Sequence, residues 1–232
     1  MTPIVAAAMA TVAFGFIAAL AMLPMARAIP SRIDAQWARE VEAHAKSASS
    51  PLDSAALSFT LPQKVMVVCL AMLVGFVVVS IYGTSVEALA FSFYYLSIVL
   101  LVAINVKHSL LPDIVVFPTM WAGLLYFTWT GVGADHVYGA AAGYGALYAL
   151  WFVFKASTGK DVIGFGDCKT LAMVGAWFGL GAMPILLGGY VAGLIVWVFM
   201  MRLARQSIRP AVSTGPAYLL ASLAVTLSAR FL

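Results

Sequence analysis

The amino-acid sequence predicts an all-α polytopic membrane protein with about eight transmembrane helices. Of its 232 residues, 63% are hydrophobic and only 9% are charged. This composition is too apolar for a soluble domain of that length. Apolar segments also recur at the length a helix needs to cross the hydrocarbon of a bilayer, roughly 20 residues. The chain is therefore expected to be integral to a membrane.

Eight apolar segments are the candidate helices, and the sixth is the shortest. In order they run over 4–26, 64–83, 86–105, 114–131, 135–155, 167–180, 182–203 and 211–230. The first segment has no basic n-region and is long for the apolar part of a signal peptide, so a retained helix is favoured over a cleaved signal. Three glycines of the fifth segment are expected to permit close helix packing: Gly139, Gly143 and Gly145.

The basic residues support this division because they fall in alternate connections. Twelve of the thirteen lie in the connections between segments one and two, three and four, five and six, or seven and eight, or at the segment ends that flank these connections: Arg27, Arg32, Arg39, Lys46, Lys64, Lys107, Lys155, Lys160, Lys169, Arg202, Arg205 and Arg209. Since Lys and Arg collect in cytoplasmic loops, these connections are predicted to be cytoplasmic and both termini extracytoplasmic. The net charge of +4 then reflects topology and attraction to anionic lipid, and it implies no nucleic-acid partner.

The longest polar segment, residues 29–63, is interpreted as a cytoplasmic loop within one membrane domain that comprises 1–232. Its part 34–46 predicts a short surface helix, and a solvated connector is favoured over a docking element. The chain has two cysteines, Cys69 and Cys168. Because they form no Cys-x-x-Cys pair, no zinc site is expected.

Two aspartates stand where membrane segments begin on the predicted cytoplasmic side, Asp113 and Asp167. Backbone N–H groups at a helix N-terminus stabilise a carboxylate by roughly 0.3 to 1 kcal/mol. An N-cap role alone would therefore account for either aspartate. Pro112 precedes the first of them and favours the start of a helix there.

The surroundings of Asp167 indicate a further role. It lies in the sequence GFGDCK, residues 164–169. Gly164 and Gly166 would allow another backbone or an extended peptide to approach closely. Lys169 is placed two residues further on, where its charge could tune the carboxylate or hold an anion. An acidic residue at membrane depth is a functional hypothesis by default.

Several motifs in the same order resemble those of the type IV prepilin peptidase family, which are membrane aspartyl proteases of the GxGD type. The resemblance covers roughly residues 95–220 and implies removal of a basic leader peptide from prepilins or pseudopilins. It rests on five stretches of sequence: the LLPD-x-x-x-x-P-x-x-W-x-G-L-L run at 110–125, TGK at 158–160, GFGDCK at 164–169, LAM-x-GAW at 171–177, and GPAY at 215–218.

The resemblance implies two catalytic aspartates, one in GxGDxK and one eight residues before the LPD aspartate. The first corresponds to Asp167. The second corresponds to position 105, where this chain has Asn105. Asp113 is the more visible carboxylate, but the family pattern does not pair it with Asp167. It is left as a supporting or substrate-binding residue, together with Gly164, Gly166 and Lys169.

Asn105 is expected to impair catalysis severely. Aspartyl proteolysis needs one carboxylate to deprotonate water and a second, protonated one to polarise the scissile carbonyl. Asn can donate a hydrogen bond but cannot exchange a proton, and losing a general acid or base costs roughly 10²- to 10⁴-fold. Two origins of Asn105 remain open, an introduced substitution and a natural homologue without activity, and the otherwise intact motifs favour the first.

The resemblance implies further properties. The protein would lie in the bacterial inner membrane with its active site at the cytoplasmic face, and it would need no metal or cofactor. The loop 29–63 has no cysteine, so the four-cysteine zinc module of larger family members is absent, and a peptidase without N-methyltransferase activity is favoured.

Three other classes were weighed. The presenilin group also uses GxGD but has a Pro-Ala-Leu motif, to which only Pro210-Ala211-Val212 and Pro216-Ala217-Tyr218 come near. A transporter should show repeated halves, and none is visible. A catalytically dead homologue that binds prepilins, or serves as a component of pilus or secretion assembly, is the non-enzymatic alternative.

Overall fold

The computed structural model describes residues 60–159, 163–203 and 213–228, together with ten residues between 16 and 29. These residues contain helices, turns and short connections but no strand. The helical residues within 16–29 are designated α1. The other helices are α2 Leu61–Tyr82, α3 Val86–His108, α4 Asp113–Trp129, α5 Gly133–Thr158, α6 Phe165–Phe178, α7 Met183–Leu203 and α8 Gly215–Ser228.

The prediction of an all-α polytopic membrane protein is confirmed, and most predicted helix boundaries lie within three residues of those observed. The surface helix predicted at 34–46 lies outside the described residues, as does nearly all of the loop 29–63. The longer course of α3 is the difference that matters for the site. It continues three residues beyond the predicted end and stops at Ser109, whose φ of 53° is left-handed. Asn105 therefore lies in the last turn of a helix.

The helices differ in length. By length and composition, α2, α3, α5 and α7 are long and apolar enough to cross a membrane. Helix α4 has 17 residues, and α6 and α8 have 14 each. At 1.5 Å per residue a helix of that shorter length extends about 21 Å, less than the roughly 30 Å of hydrocarbon. Helix α6 is thus held by its neighbours instead of spanning the bilayer alone.

Helices α3 and α6 form the interior of the bundle. In the most apolar 18-residue stretch of α3, 67% of the residues are buried, whereas the corresponding stretches of α2, α5 and α7 have 17% to 22% of their residues buried. Nearly all of α6 from Cys168 to Trp177 is buried. Helix α6 packs against α4 and α5, α3 packs against α2, α4 and α8, and α7 pairs with α8. The two central helices therefore end where neighbours from several sides converge.

Glycines bring α5 and α6 into backbone contact. A Cβ at Gly139 would lie 2.5 Å from the carbonyl oxygen of Gly175, and a Cβ at Gly143 would lie 2.5 Å from that of Leu171. The predicted packing role of these two glycines is confirmed, since small residues let membrane helices approach closely. The same prediction is wrong for Gly145 within the described part of the chain, where no atom lies within 4 Å of a Cβ at that position.

The same kind of contact fixes the direction of α7 relative to α8. A Cβ at Gly189 would lie 2.9 Å from the Cα of Ala221, and one at Gly193 would lie 2.8 Å from that of Ala217. The two helices are therefore antiparallel, as α5 and α6 are. Helices α3, α5 and α7 consequently end, and α4, α6 and α8 begin, at one end of the bundle. This is called the basic end, because the described connections with Lys and Arg lie there.

Candidate active site

Asn105 is buried at the basic end and is held by the start of α8. Only 3% of the residue is exposed. The backbone N–H of Gly215 donates to Asn105 Oδ1 at 2.8 Å. The Ser213 hydroxyl donates to the backbone carbonyl of Asn105 at 3.2 Å, and that carbonyl also accepts from the Ser109 N–H at 2.8 Å. The side chain and the backbone of Asn105 are thus both bound to the residues that open α8.

Gly215 is needed for this close approach. A Cβ at this position would lie 3.0 Å from the Cα of Val102 and 3.2 Å from both Cβ and Oδ1 of Asn105. The N–H groups in the first turn of a helix have no partner within the helix, and the helix dipole makes that end favourable for negative charge. An oxygen at position 105 therefore receives a donor suited to an amide or a carboxylate.

Asp167 lies in the first turn of α6 and is bound by the same part of α8. The Thr214 hydroxyl donates to Asp167 Oδ1 at 2.6 Å. The Tyr218 hydroxyl donates to the backbone carbonyl of Asp167 at 2.9 Å, and its distance to Oδ1 is 3.2 Å. The carboxylate also accepts from the backbone N–H of Gly164, and Tyr190 hydrogen-bonds to Tyr218. The carboxylate is thus surrounded by donors.

Two consecutive residues join the two positions, the one before α8 and the first of α8. Thr214 binds Asp167 and Gly215 binds Asn105. Covalent geometry keeps the Thr214 hydroxyl and the Gly215 nitrogen within about 5 Å, so the two bound oxygens lie no more than about 10 Å apart. Residues separated by 62 positions in the sequence are therefore both bound to the start of α8 at the basic end.

Lys169 has a different partner from the one the sequence suggested. Its Nζ donates to Asp113 Oδ2 at 2.7 Å, and it also lies 5.5 Å from the centre of the Phe117 ring. The donors on the Asp167 carboxylate come from Thr214, Tyr218 and the backbone instead. The side chains of Lys169 and Asp113 are 30% and 50% exposed, so the pair lies at the rim and joins α6 to α4.

The expected N-cap roles of the two aspartates are wrong. Pro112 is the N-cap residue of α4 and Asp113 the first residue of that helix. Gly164 is the N-cap residue of α6, and Asp167 reaches back to its N–H as the third helical residue does in a capping box. Asp167 is nonetheless a stabilising residue of its helix as well as a member of the site.

The fold does not require glycine at the two glycine positions of the GFGD sequence. Gly164 has an extended backbone with φ −80° and ψ 147°. A Cβ there would meet only Asp167 and Gly166, at 3.4 and 4.0 Å. At Gly166 the nearest atom would be the Leu111 Cβ, at 3.4 Å. Among the described residues, none crowds either position.

The residues that bind the two positions are not apparent from the sequence alone. The GPAY stretch, Gly215 to Tyr218, carries part of the family resemblance but no assigned role, and Ser213 and Thr214 precede it without any motif. Their signal is weak because hydroxyl residues before a helix are ordinary caps. Within the described part of the chain, no three His, Cys, Asp or Glu side chains form a group that could hold a metal ion.

Comparison with known proteins identifies the region that contains this site. Residues 91–198 match the model of the type IV leader peptidase family, and they include Asn105, Asp113 and the GFGDCK sequence. Residues 91–198 therefore belong to the type IV leader peptidase family. The start of α8, which binds Asn105 and Asp167, lies just beyond the matched residues.

Three relatives show how far the similarity extends. The prepilin leader peptidase/N-methyltransferase of Pseudomonas putida is 40% identical over 148 residues, which are 62% of this chain and 51% of that protein. The protein of the same name from Pseudomonas aeruginosa is 38% identical over 116 residues, 49% of this chain and 40% of that protein. The one from Aeromonas hydrophila is 45% identical over 92 residues, 39% of this chain and 32% of that protein.

The matched part of the chain thus spans about half, or less, of the length of these relatives. No solved structure matches the chain significantly.

Proposed function

We propose that this leader peptidase domain is a membrane aspartyl endopeptidase that removes the basic leader of type IV prepilins or pseudopilins. Position 105 and Asp167 would form its catalytic pair, and Asn105 would leave the present chain impaired. The observation that supports this most is that consecutive residues, Thr214 and Gly215, bind the side chains of Asp167 and Asn105. The names of the relatives support the substrate class.

The proposed chemistry needs both positions to exchange protons. One carboxylate takes a proton from water as the water oxygen bonds to the scissile carbonyl carbon, and the protonated partner donates to the carbonyl oxygen. The tetrahedral intermediate then collapses, the C–N bond breaks, and a proton passes to the leaving nitrogen. Asn105 could polarise the carbonyl through its amide but could not return a proton. No metal or cofactor takes part in these steps.

The substrate would enter beside the GFGD turn. Neither the backbone conformation nor the packing of the described residues requires glycine at positions 164 and 166, and their lack of side chains would let an extended peptide approach the backbone there. The apolar helix of a prepilin would remain in the bilayer while its basic leader lies at the cytoplasmic face. A site at the membrane boundary requires only local unwinding of such a helix, whereas deeper exposure of backbone polar groups is costly.

The proposed location is the bacterial inner membrane, with the basic end facing the cytoplasm. Lys107, Lys155, Lys169 and Arg202 lie at that end among the described residues, which is the distribution expected for a cytoplasmic face. The relatives carry a methyltransferase in their names. Only the peptidase activity is proposed for this chain, because the loop 29–63 has no cysteine to form a zinc module.

The alternative is a catalytically dead homologue that binds prepilins or acts in pilus or secretion assembly. Asn105 itself is the observation that favours it. Asn is isosteric with Asp and accepts the Gly215 N–H, so prepilin binding would survive the loss of proton exchange.

A cleavage assay with a purified prepilin tests the proposal. The full chain as it stands should cleave at most slowly, and Asn105→Asp should raise kcat by about 10²-fold or more. Adding Asp167→Asn to Asn105→Asp should remove the gain. Asp113→Asn in the same background is the matched carboxylate control and should retain most of it. Failure of Asn105→Asp to cleave any prepilin, while the unchanged chain binds one, would favour the dead homologue.

A further inference from the structure

The residues that open α8 treat the two catalytic positions unequally. The Asp167 carboxylate accepts from the Thr214 hydroxyl and the Gly164 N–H, and the Tyr218 hydroxyl, which donates to the Asp167 backbone carbonyl at 2.9 Å, also lies 3.2 Å from Oδ1. Asn105 Oδ1 accepts from the Gly215 N–H. Donors to a carboxylate stabilise its ionised form. Burial works against the ionised form at both positions, but Asp167 is the less buried residue and has more donors, so its surroundings favour a negative charge more than those of position 105 do.

We propose that Thr214 and Tyr218 are positioning residues that keep Asp167 ionised as the water-activating base, so that position 105 is the protonated acid of the pair. This assignment rests on the proposed function, which leaves the two roles undivided. In the forward step the water proton passes to Asp167 and the proton at position 105 passes to the carbonyl oxygen. In the collapse of the intermediate, Asp167 delivers its proton to the leaving nitrogen and position 105 recovers one from the hydroxyl.

Asn105 has the shape of the neutral acid in this arrangement. Its Oδ1 and amide group correspond to the carbonyl oxygen and hydroxyl of a protonated aspartic acid. The residue is only 3% exposed, and burial disfavours an ionised carboxylate that has few donors. The N–H of Gly215 reaches the oxygen that both residues would present. The chain with Asn105 thus preserves the hydrogen bonding of the proposed resting state without its transferable proton.

Tyr218 is held in place by a second tyrosine. Tyr190 of α7 hydrogen-bonds to Tyr218, and the two ring centres are 4.8 Å apart. Tyr190, Tyr218 and Asp167 therefore form a hydrogen-bonded chain, because the Tyr218 hydroxyl also donates to the Asp167 backbone carbonyl. Polarisation along such a chain strengthens the final bond. Helix α7 therefore contributes to the orientation of the donor on Asp167.

The remaining charges do not reverse this assignment. Lys169 is paired with Asp113 of α4, so the negative charge of Asp113 offsets most of the field that the lysine would exert on Asp167. The other titratable groups near the basic end belong to the helices around the pair: Lys107 and His108 of α3, Lys155 of α5, Cys168 of α6, Tyr190 of α7 and Tyr218 of α8. The division of roles follows from the hydroxyl donors, and it can be altered by removing them.

The pH dependence of cleavage tests the division in the full chain that carries Asn105→Asp. A base must be ionised to act, so the acid limb of the kcat/KM profile follows the ionisation of Asp167. Removing a donor destabilises the ionised form and moves that limb to higher pH. Tyr218→Phe and Thr214→Val should each move it by about one pH unit and lower the plateau of kcat about tenfold. Thr214→Ser, which keeps the hydroxyl, should restore the original limb.

Tyr95→Phe is the matched control. The Tyr95 hydroxyl is also buried and bonds to α8, through Thr226 Oγ1 at 2.6 Å, but it belongs to a different part of that helix. Its loss should leave the acid limb unchanged. If Tyr218→Phe and Thr214→Val lower cleavage equally at every pH, with the limb unmoved, the proposed role of these residues is overturned.

Infrared difference spectroscopy separates this inference from the proposed function. The difference between the unchanged chain and Asp167→Asn isolates the carboxyl bands of Asp167 without any cleavage. An ionised band at neutral pH, whose titration moves to higher pH in Tyr218→Phe, supports the inference even if Asn105→Asp cleaves nothing. A protonated Asp167 at neutral pH would overturn it even if Asn105→Asp cleaves a prepilin.

Discussion

The two ends of the α5–α6 pair each carry an aspartate in the first turn of a helix, and the two aspartates have different surroundings. At the end opposite the basic end, Asp135 of α5 accepts from the Leu180 N–H at 3.1 Å and touches Gly179, where no Cβ would fit. The adjacent His136 donates from Nδ1 to the Ala176 carbonyl at 3.0 Å. At the basic end, Asp167 is bound mainly by side-chain hydroxyls.

This difference separates polar residues that hold the fold from those that need another explanation. The contacts of Asp135 and His136 join side chains to the backbone where α6 ends. They provide hydrogen-bond partners for backbone groups that the end of the helix leaves unpaired. At the basic end, polar groups from α3, α6 and the start of α8 converge beside Gly164 and Gly166, which the packing of the described residues does not require to be glycine. Packing accounts for the first arrangement, and the second is the one for which a catalytic role is proposed.

The largest effect on the fold should come from the glycine contact between the two helices. A Cβ at Gly175 would overlap the Gly139 carbonyl, so Gly175→Ala must push α5 and α6 apart. Overpacking of this kind costs about 1 to 3 kcal/mol. Thermal unfolding in detergent should show the loss, and cleavage by the Asn105→Asp chain should fall because α6 carries Asp167.

Gly145→Ala provides the control for this substitution on the same helix. Gly145 has no neighbour within 4 Å of a Cβ, and alanine favours a helix over glycine by up to about 1 kcal/mol. The variant should unfold at an equal or higher temperature. Equal destabilisation by Gly145→Ala and Gly175→Ala would contradict the packing described for α5 and α6.

A smaller effect is expected at the rim of the basic end. Lys169 and Asp113 form a partly exposed ion pair, and such pairs contribute about 0.2 to 1 kcal/mol. If the pair acts by joining α4 to α6, then Lys169→Met, Asp113→Asn and the double variant should reduce cleavage by the Asn105→Asp chain to the same modest extent. A double-mutant cycle on kcat/KM measures this.

The cycle also tests the original expectation for Lys169. Tuning of Asp167 by the lysine charge would make Lys169→Met costly whether or not Asp113 is present. In that case the effects of the two substitutions on kcat/KM would be additive in the double variant. The pairing of Lys169 with Asp113 would then be incidental to cleavage.

Much of this architecture follows from the sequence because membrane composition and charge are direct signals. Apolar length locates the helices to within a few residues, and the alternation of Lys and Arg groups the connections at one end. The GFGD sequence identified Asp167, and the family pattern identified position 105 over the more visible Asp113. These signals are local, since each can be seen within a stretch of about twenty residues.

The partners within the site could not be predicted in the same way. Thr214, Gly215 and Tyr218 lie more than a hundred residues from Asn105 and about fifty from Asp167, and helix crossing alone brings them together. The predicted partner of Lys169 was wrong for the same reason. Proximity in sequence favoured Asp167, whereas helix packing places Asp113 of α4 beside the lysine. Gly145 shows another limit of sequence reasoning. The spacing of glycines along α5 does not show which face of the helix packs against a neighbour.

Matched removal of the two first-turn carboxylates tests the central claim most directly. In the Asn105→Asp chain, Asp167→Asn and Asp135→Asn would each be assayed for prepilin cleavage per folded molecule and for thermal unfolding. We predict that Asp167→Asn lowers cleavage by about 10²-fold or more, whereas Asp135→Asn, whose amide oxygen can still accept from the Leu180 N–H, leaves cleavage largely intact; thermal unfolding checks that both variants remain folded. Equal loss of cleavage in both variants, or none in Asp167→Asn, would contradict this claim.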